Sequence, residues 1–294
     1  MVEGKSLGLK LFRIFNYTLL ISLAVVCLVP LIHILAVSLS SNVAASAGIV
    51  KLWPKDLTFK SYAFVLSKGE FLLSLWISVK RVLIGTVVSM LLTILIAYPL
   101  SKSGRELKFR TGYAWYFVFT ILFSGGLIPW YMTIRTTGLL DSIWALVLPN
   151  AVPVFNVILL LNFFRGLPKE LEEAAFVDGS GYWKTLWRIY VPLSMPSIAT
   201  IGLFTIVSHW NSWFDGLILM NSQNNYPLSS YLQTIIVQSS LTNMSAEQLK
   251  NLASVSDRTV KSAQIFVGAL PILACYPFLQ KYFVKGMVLG GVKG

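Results

Sequence analysis

Charge is what this chain has least of. Only 12% of its 294 residues are charged, against 55% hydrophobic residues and a mean hydropathy of +0.70, whereas a soluble domain carries roughly 25% charged residues. That shortage excludes a soluble globular domain and points to an all-α integral membrane protein. Cysteine and histidine are nearly absent too. Cys27 and Cys275 fall inside apolar runs, where a thiol behaves as a small apolar side chain and reports nothing about redox compartment. His33 and His209 have no Cys or His neighbour at metal-ligand spacing, so no metal is expected. A phosphate-binding loop, G-x-x-x-x-G-K-[ST], is also missing: Gly4-Lys5-Ser6 lacks the leading glycine, and the run GSGYWKT has no glycine directly before Lys184. Neither an internal repeat nor a low-complexity segment is present.

What remains are charge-free windows at 14–50, 82–101, 111–134, 142–164, 189–214 and 262–280. Five reach the roughly 20 apolar residues a helix needs to cross a bilayer, and the sixth is within the permitted range. They predict six spans in a single domain over 1–294, at about 14–38, 78–101, 112–134, 142–164, 193–217 and 262–283. The run from Ile14 to Leu39 is longer than the roughly 7–15 residues of a signal-peptide core. A retained first span is therefore expected, although Lys5, Lys10 and Arg13 precede it and AASAG (44–48) resembles a cleavage site. A further window, 216–246, holds NSQNNYPLSSY and reads as a polar loop inside a long outer connection. There Ser245 would cap a short helix, with Glu247 and Gln248 in its first turn, and Tyr226, Pro227 and Tyr231 suit a docking surface.

With the N-terminus inside, the inner segments hold 14 Lys and Arg and the outer segments 10, a weak positive-inside bias. The short inner loop with Lys102, Arg105, Lys108 and Arg110, against the single acid Glu106, is its clearest single part. Both termini then face the cytoplasm.

The few acids are not spread evenly. Eight of the 24 positions from Arg165 to Arg188 are charged, between flanks of 23 and 26 uncharged residues. This stretch has the grammar of two short helices. Pro168 suits a first helical position, Glu170, Glu172 and Glu173 complement the helix dipole, and Gly179 stands where a helix C-terminus needs positive φ. A second helix, 181–190, would end before Pro192, with Tyr182, Trp183, Leu186, Trp187 and Tyr190 on one face and Lys184, Thr185 and Arg188 on the other. That aromatic stripe suits an interfacial helix. The acidic first helix gains nothing beside an anionic leaflet, and Ala174-Ala175 permits close approach by another protein.

Glu173-Ala174-Ala175, Asp178-Gly179, Ile189 and Pro192 resemble the EAA loop of permease subunits in binding-protein-dependent ABC importers. The one departure is Val191, where that family often has Leu. PSIATIGLFTIVSHWNSWFDGLIL, from Pro196, is similar to the carbohydrate-uptake, MalG-like half. FSGGLIPWYMTIRTTGLLDSIWALVLP and the terminal YPFLQKYFVKGMVLGGVKG are similar to its oligosaccharide/lipoprotein-associated subgroup. The resemblance implies a coupling loop, about 165–192, docking in the cleft of a cytoplasmic ABC ATPase dimer, with Glu173 pairing a basic residue of the ATPase and Gly179 allowing the turn. It implies further partners: a second homologous permease, an extracellular solute-binding protein, a carbohydrate substrate and membrane lipids, with no nucleic acid. ATP and Mg would be bound by the ATPase, and no cofactor by this chain. The setting implied is the bacterial cell membrane. The basic, glycine-rich C-terminal tail suits either the ATPase or a membrane anchor.

For a substrate path, Ser208, Asn211, Ser212 and Asp215 fall at helical spacing in the fifth window, flanked by Trp210, Trp213 and Phe214. They suit a sugar's hydroxyl edge and apolar face, or hydrogen bonds between helices. Asp215 is placed at the outer membrane edge, its charge exposed. Asn150, Pro153 and Asn156 form a weaker second set. Outer cations, Lys51, Lys55, Lys60 and the Lys80-Arg81 pair among them, suit headgroup anchoring, an acidic binding protein, or attraction of an acidic oligosaccharide. An ion-coupled secondary carrier and a non-transporting scaffold are the alternatives; the first is disfavoured by the charge-free middle of every predicted span.

Overall fold

The computed structural model describes residues 7–237 and 257–290, and among them every regular element is helical. The chain divides into two compact units, residues 1–71 with 234–270, and residues 72–233 with 271–294. The expected cap at Ser245 with Glu247 and Gln248, the side chain of Cys275 and the side chains of the tail lie outside the described residues.

The first unit contains α1 (Leu7–Ser38), α2 (Asn42–Ser46) and α3 (Lys60–Ser67). α1 has no polar face: side chains from Gly8 to Ile32 are exposed, Cys27 among them. An apolar helix exposed all round belongs in lipid or against another membrane helix. Its last turn joins a small core of Ala36, Val37, Ala44, Ala45 and Val50. The following chain is tied back to that turn. The Ser40 hydroxyl accepts from the Lys55 amide (3.0 Å), Ser38 and Tyr62 share a hydrogen bond (2.7 Å), and Arg258 donates to the Ala45 carbonyl (3.3 Å).

α4 (Gly69–Ser101) leads into the second unit. There follow α5 (Arg110–Leu122), α6 (Leu127–Thr136), α7 (Ile143–Val147), α8 (Val154–Arg165), α9 (Lys169–Val177), α10 (Tyr182–Leu193), α11 (Met195–Asn211), α12 (Phe214–Leu219) and α13 (Leu228–Val237), and later α14 (Asp257–Gly290). Among the described residues two helices, Gly8–Ser38 and Gly69–Ser101, are long and apolar enough to cross a membrane, and three bent pairs raise the number to five. The predicted third and fourth spans are thus bent pairs rather than continuous helices. The third bent pair joins α10, largely within the predicted 165–192 loop, to α11 of the predicted fifth span. α5 and α6 meet at 113° across Ser124-Gly125-Gly126, where Gly126 has φ +86. The 48° bend before α8 falls at Pro153, and the 82° bend between α10 and α11 lies between Pro192 and Pro196. Proline removes the amide that would continue a helix. The sixth predicted span falls on α14.

The window read as a polar loop, 216–246, begins otherwise: α12 and most of α13 are helical, with Pro227, Leu228, Ser230 and Tyr231 buried. Pro227 and Tyr231 therefore form no docking surface. The Leu228 amide donates to the Ser78 hydroxyl of α4 (2.7 Å). The main core of this unit joins Ile94, Ala97 and Tyr98 of α4, Leu160 and Phe164 of α8, Leu186 and Tyr190 of α10, and Ile201 of α11.

Candidate functional site

The acidic segment folds as an elbow. α9 starts one residue later than the spacing suggests, with Pro168 (φ −57, ψ 128) as its cap rather than its first helical residue. It ends as expected: Gly179 has φ +75, and the Gly179 and Ser180 amides donate to the Phe176 and Ala175 carbonyls (3.0 and 2.8 Å). A glycine there satisfies orphan carbonyls in a backbone region where a Cβ is strained. Nothing lies within 4 Å of where its Cβ would be, so backbone conformation alone demands it. Phe176 and Tyr182 close the inner angle edge to face, centroids 5.1 Å apart.

α10 departs from its predicted form. It runs on through Pro192 to Leu193, and Leu186–Tyr190 is a π-helical turn. The wider turn breaks the aromatic stripe: Leu186 and Tyr190 are buried, Tyr182, Trp183 and Trp187 are exposed, and Thr185, assigned to the polar face, is buried. Ile189 is half-buried and Pro192 exposed. In α9, Glu173, Ala174 and Asp178 face outward while Ala175 is buried.

Glu172, one residue before the matching motif, fixes the elbow to the bundle. It is buried, ion-paired with Lys102 just past the end of α4, and accepts from the Tyr190 hydroxyl (2.6 Å). Lys102 Nζ lies over the Tyr98 and Tyr190 rings, 4.1 and 4.2 Å from their centroids, a cation–π enclosure. Burial pulls the Lys102 ammonium below its ordinary pKa, against the pull of Glu172. It pushes the Tyr190 phenol up, helped by the bond to Glu172. Arg165 donates to Leu100 O and Arg110 to Lys102 O, both at 3.1 Å, so cations also satisfy the carbonyls leaving the C-terminal end of α4. The sequence marks Lys102 only as an orientation signal and Glu172 only as a helix-dipole acid; the signal for an anchor was a Lys directly after an apolar run.

A second buried pair lies further back along α4, about three turns in from its start. Asp215 is not at an exposed edge: it is 6% exposed and ion-paired with Arg81, which is 1% exposed and belongs to no outer basic surface, unlike its exposed neighbour Lys80. The predicted continuous polar face is broken, because α11 ends at Asn211 and Ser212 is extended (φ −69, ψ 120). That break turns the Ser212 carbonyl to Arg81 Nη1 (3.1 Å) and its hydroxyl to Asp215 Oδ1 (2.9 Å). The buried face of α4 carries Ser74, Ser78, Arg81, Gly85, Ser89 and Thr93. This is a polar stripe at three- and four-residue spacing that a search for charge alone overlooks. Gly85 is required for contact, since a Cβ there would lie 2.6 Å from the His209 ring.

Between these helices is a cavity of about 770 Å³ whose wall includes Arg81, Asn150, Pro153, Asn156, Ser208 and Ser212. It unites members of both polar sets read from the sequence. Asn156 Nδ2 donates to Thr205 Oγ1 (3.2 Å). Asn211 and Trp213 are exposed and outside this wall.

Residues 71–289 match the sequence profile of the binding-protein-dependent transport system inner membrane component. The chain belongs to that family. This permease is 39% identical to Protein LplC of Bacillus subtilis (strain 168) over 285 residues, covering 97% of this chain and 96% of that one. It is 38% identical to the polygalacturonan/rhamnogalacturonan transport system permease protein YtcP of the same strain, covering 97% and 99%. Among solved structures it is similar to a chain in the crystal structure of a bacterial ABC transporter involved in import of the acidic polysaccharide alginate. The TM-score is 0.88 and the identity 34%, with 96% of this chain and 100% of that one covered. The permease is thus a membrane-embedded transport subunit of an ABC importer and not an enzyme, ATP hydrolysis residing in a separate subunit. Family membership implies work alongside another permease, an ATPase and a solute-binding protein. It also removes the secondary carrier and the scaffold from consideration.

Proposed function

We propose that this permease carries an acidic oligosaccharide across the bacterial cell membrane, delivered by an extracellular binding protein and driven by a cytoplasmic ATPase dimer that binds the ATP and Mg. The second half of the pathway comes from a homologous permease. The chain makes six spans with both termini in the cytoplasm, the 165–192 elbow inside and the connection after α12 outside. The acidic substrate is supported by the similarity to a polygalacturonan/rhamnogalacturonan permease and to an alginate importer, and by outer cations such as Lys51, Lys55 and Lys60. The sugar passes the cavity at Ser208 and Ser212. Of the other residues expected to line it, Asp215 acts through Arg81, while Asn211 and Trp213 lie outside its wall.

One observation carries the mechanism: adjacent glutamates of α9 face opposite ways. Glu172 is locked to Lys102 and Tyr190, while Glu173 is exposed. A push on Glu173, Ala174 and Asp178 therefore reaches α4 through a buried ion pair instead of dissipating in a loose loop. Ala175 packs the helix, Gly179 sets the elbow angle, and Ile189 and Pro192 carry α10 into the bend before α11. In proteoliposomes containing the whole transporter, Glu173→Lys and Gly179→Ala should insert normally yet lose ATP-driven uptake of trigalacturonate. Undiminished uptake by both would remove the coupling assignment.

A further inference from the structure

Four charged residues are buried among those described, and they form two pairs: Lys102 with Glu172, and Arg81 with Asp215. In the first, the Lys102 ammonium lies over the Tyr98 and Tyr190 rings, and Glu172 has a second donor in the Tyr190 hydroxyl. The second differs in holding an unpaired donor. Arg81 forms part of the wall of the 770 Å³ cavity. Its Nε is buried without a hydrogen-bond partner, and so is the Ser89 hydroxyl on the same wall. Asp215 holds donors besides Arg81, accepting from the Ser212 hydroxyl and the Gly216 amide, both at 2.9 Å. A strut needs no unpaired donor. A buried donor without an acceptor is costly, and a carboxylate with a second set of donors stays satisfied when its cation is drawn elsewhere.

We propose that Arg81 is the carboxylate-recognition residue of the transport cavity, with Asp215 as its built-in competitor. This rests on the acidic-oligosaccharide reading above and names the group that reads the acid. A uronate carboxylate in the cavity accepts from the unpaired Nε–H of the guanidinium. It gains the planar fork that suits carboxylates as Nη2 gives up Asp215 and the Leu146 carbonyl. Asp215 falls back on Ser212 and Gly216, then reclaims Arg81 as the sugar moves on. Competition keeps the site weak, and a translocation site must bind well enough to admit its cargo and weakly enough to release it.

The test is equilibrium binding of radiolabelled trigalacturonate to the purified permease–ATPase complex without its binding protein. The fully methyl-esterified trimer serves as the neutral control, and uptake is measured in proteoliposomes. Asp215→Asn removes the competitor and should tighten trigalacturonate binding while slowing its release and uptake. Arg81→Lys keeps the charge but loses the fork and should weaken trigalacturonate binding by about tenfold or more, the scale of one lost charge-assisted hydrogen bond. Binding of the ester should move with neither. Parallel changes for acid and ester, or no change, would overturn the proposal. So would failure of both variants to retain the ATPase, which would make the pair a strut alone. A wild-type complex that neither binds nor carries either trimer would instead sink the carbohydrate reading itself.

Discussion

Glu172 and Glu173 are chemically identical neighbours with opposite fates, because one step along a helix turns a side chain by about 100°. One meets Lys102 and Tyr190; the other meets solvent. Their substitutions should therefore separate. Glu172→Ala strands a buried ammonium, which costs on the order of 3–5 kcal/mol, and the solubilised permease should melt at clearly lower temperature. Glu173→Ala removes an exposed carboxylate and should stay within about 0.5 kcal/mol of wild type. Thermal unfolding in detergent reads both, and equal or reversed effects would reject the assignment of Glu172 as anchor. The acidic cluster itself was plain in the sequence. Which acid faces inward was not, since that depends on where the end of α4 comes to lie.

At the scale of elements, α4 is pinned at two points, one inside its first half and one just past its end. Arg81 and Lys102 are 21 positions apart, about 31 Å of helix rise, close to the thickness of a bilayer's hydrocarbon core. Between the pins, small residues allow close helix packing, the usual means of association in lipid. Gly85 is the tightest point, against His209 of α11. Gly85→Ala should destabilise by about 1–3 kcal/mol through overpacking, and Gly69→Ala, with open space around it, should not. A lowered melting temperature for the first variant alone is the expected result. The continuous apolar windows fall on these helices. They missed the bends in the third and fourth predicted spans, because a bend at glycine or proline changes direction without changing hydropathy.

For the molecule as a whole, orientation is the property on which the mechanism depends. With both native cysteines replaced, Lys51→Cys should react with a membrane-impermeant maleimide on intact cells, and Lys184→Cys only after permeabilisation. The opposite pattern would put the elbow outside, away from any cytoplasmic ATPase. The α1 surface, exposed along most of its length, requires lipid or a companion permease to cover it.

Sequence alone determined that the chain is helical and lives in a membrane, since apolar length and scarcity of charge decide that locally. It also determined the elbow, because the acids, the alanine pair and Gly179 are contiguous. Tertiary structure decided the charge partners. Arg81 and Asp215 are 134 positions apart and Lys102 and Glu172 are 70 apart, and no local pattern records which of them meet. It also decided that Asp215 is buried, for the chain turns at Ser212 and carries that carboxylate inward to a guanidinium no short window contains.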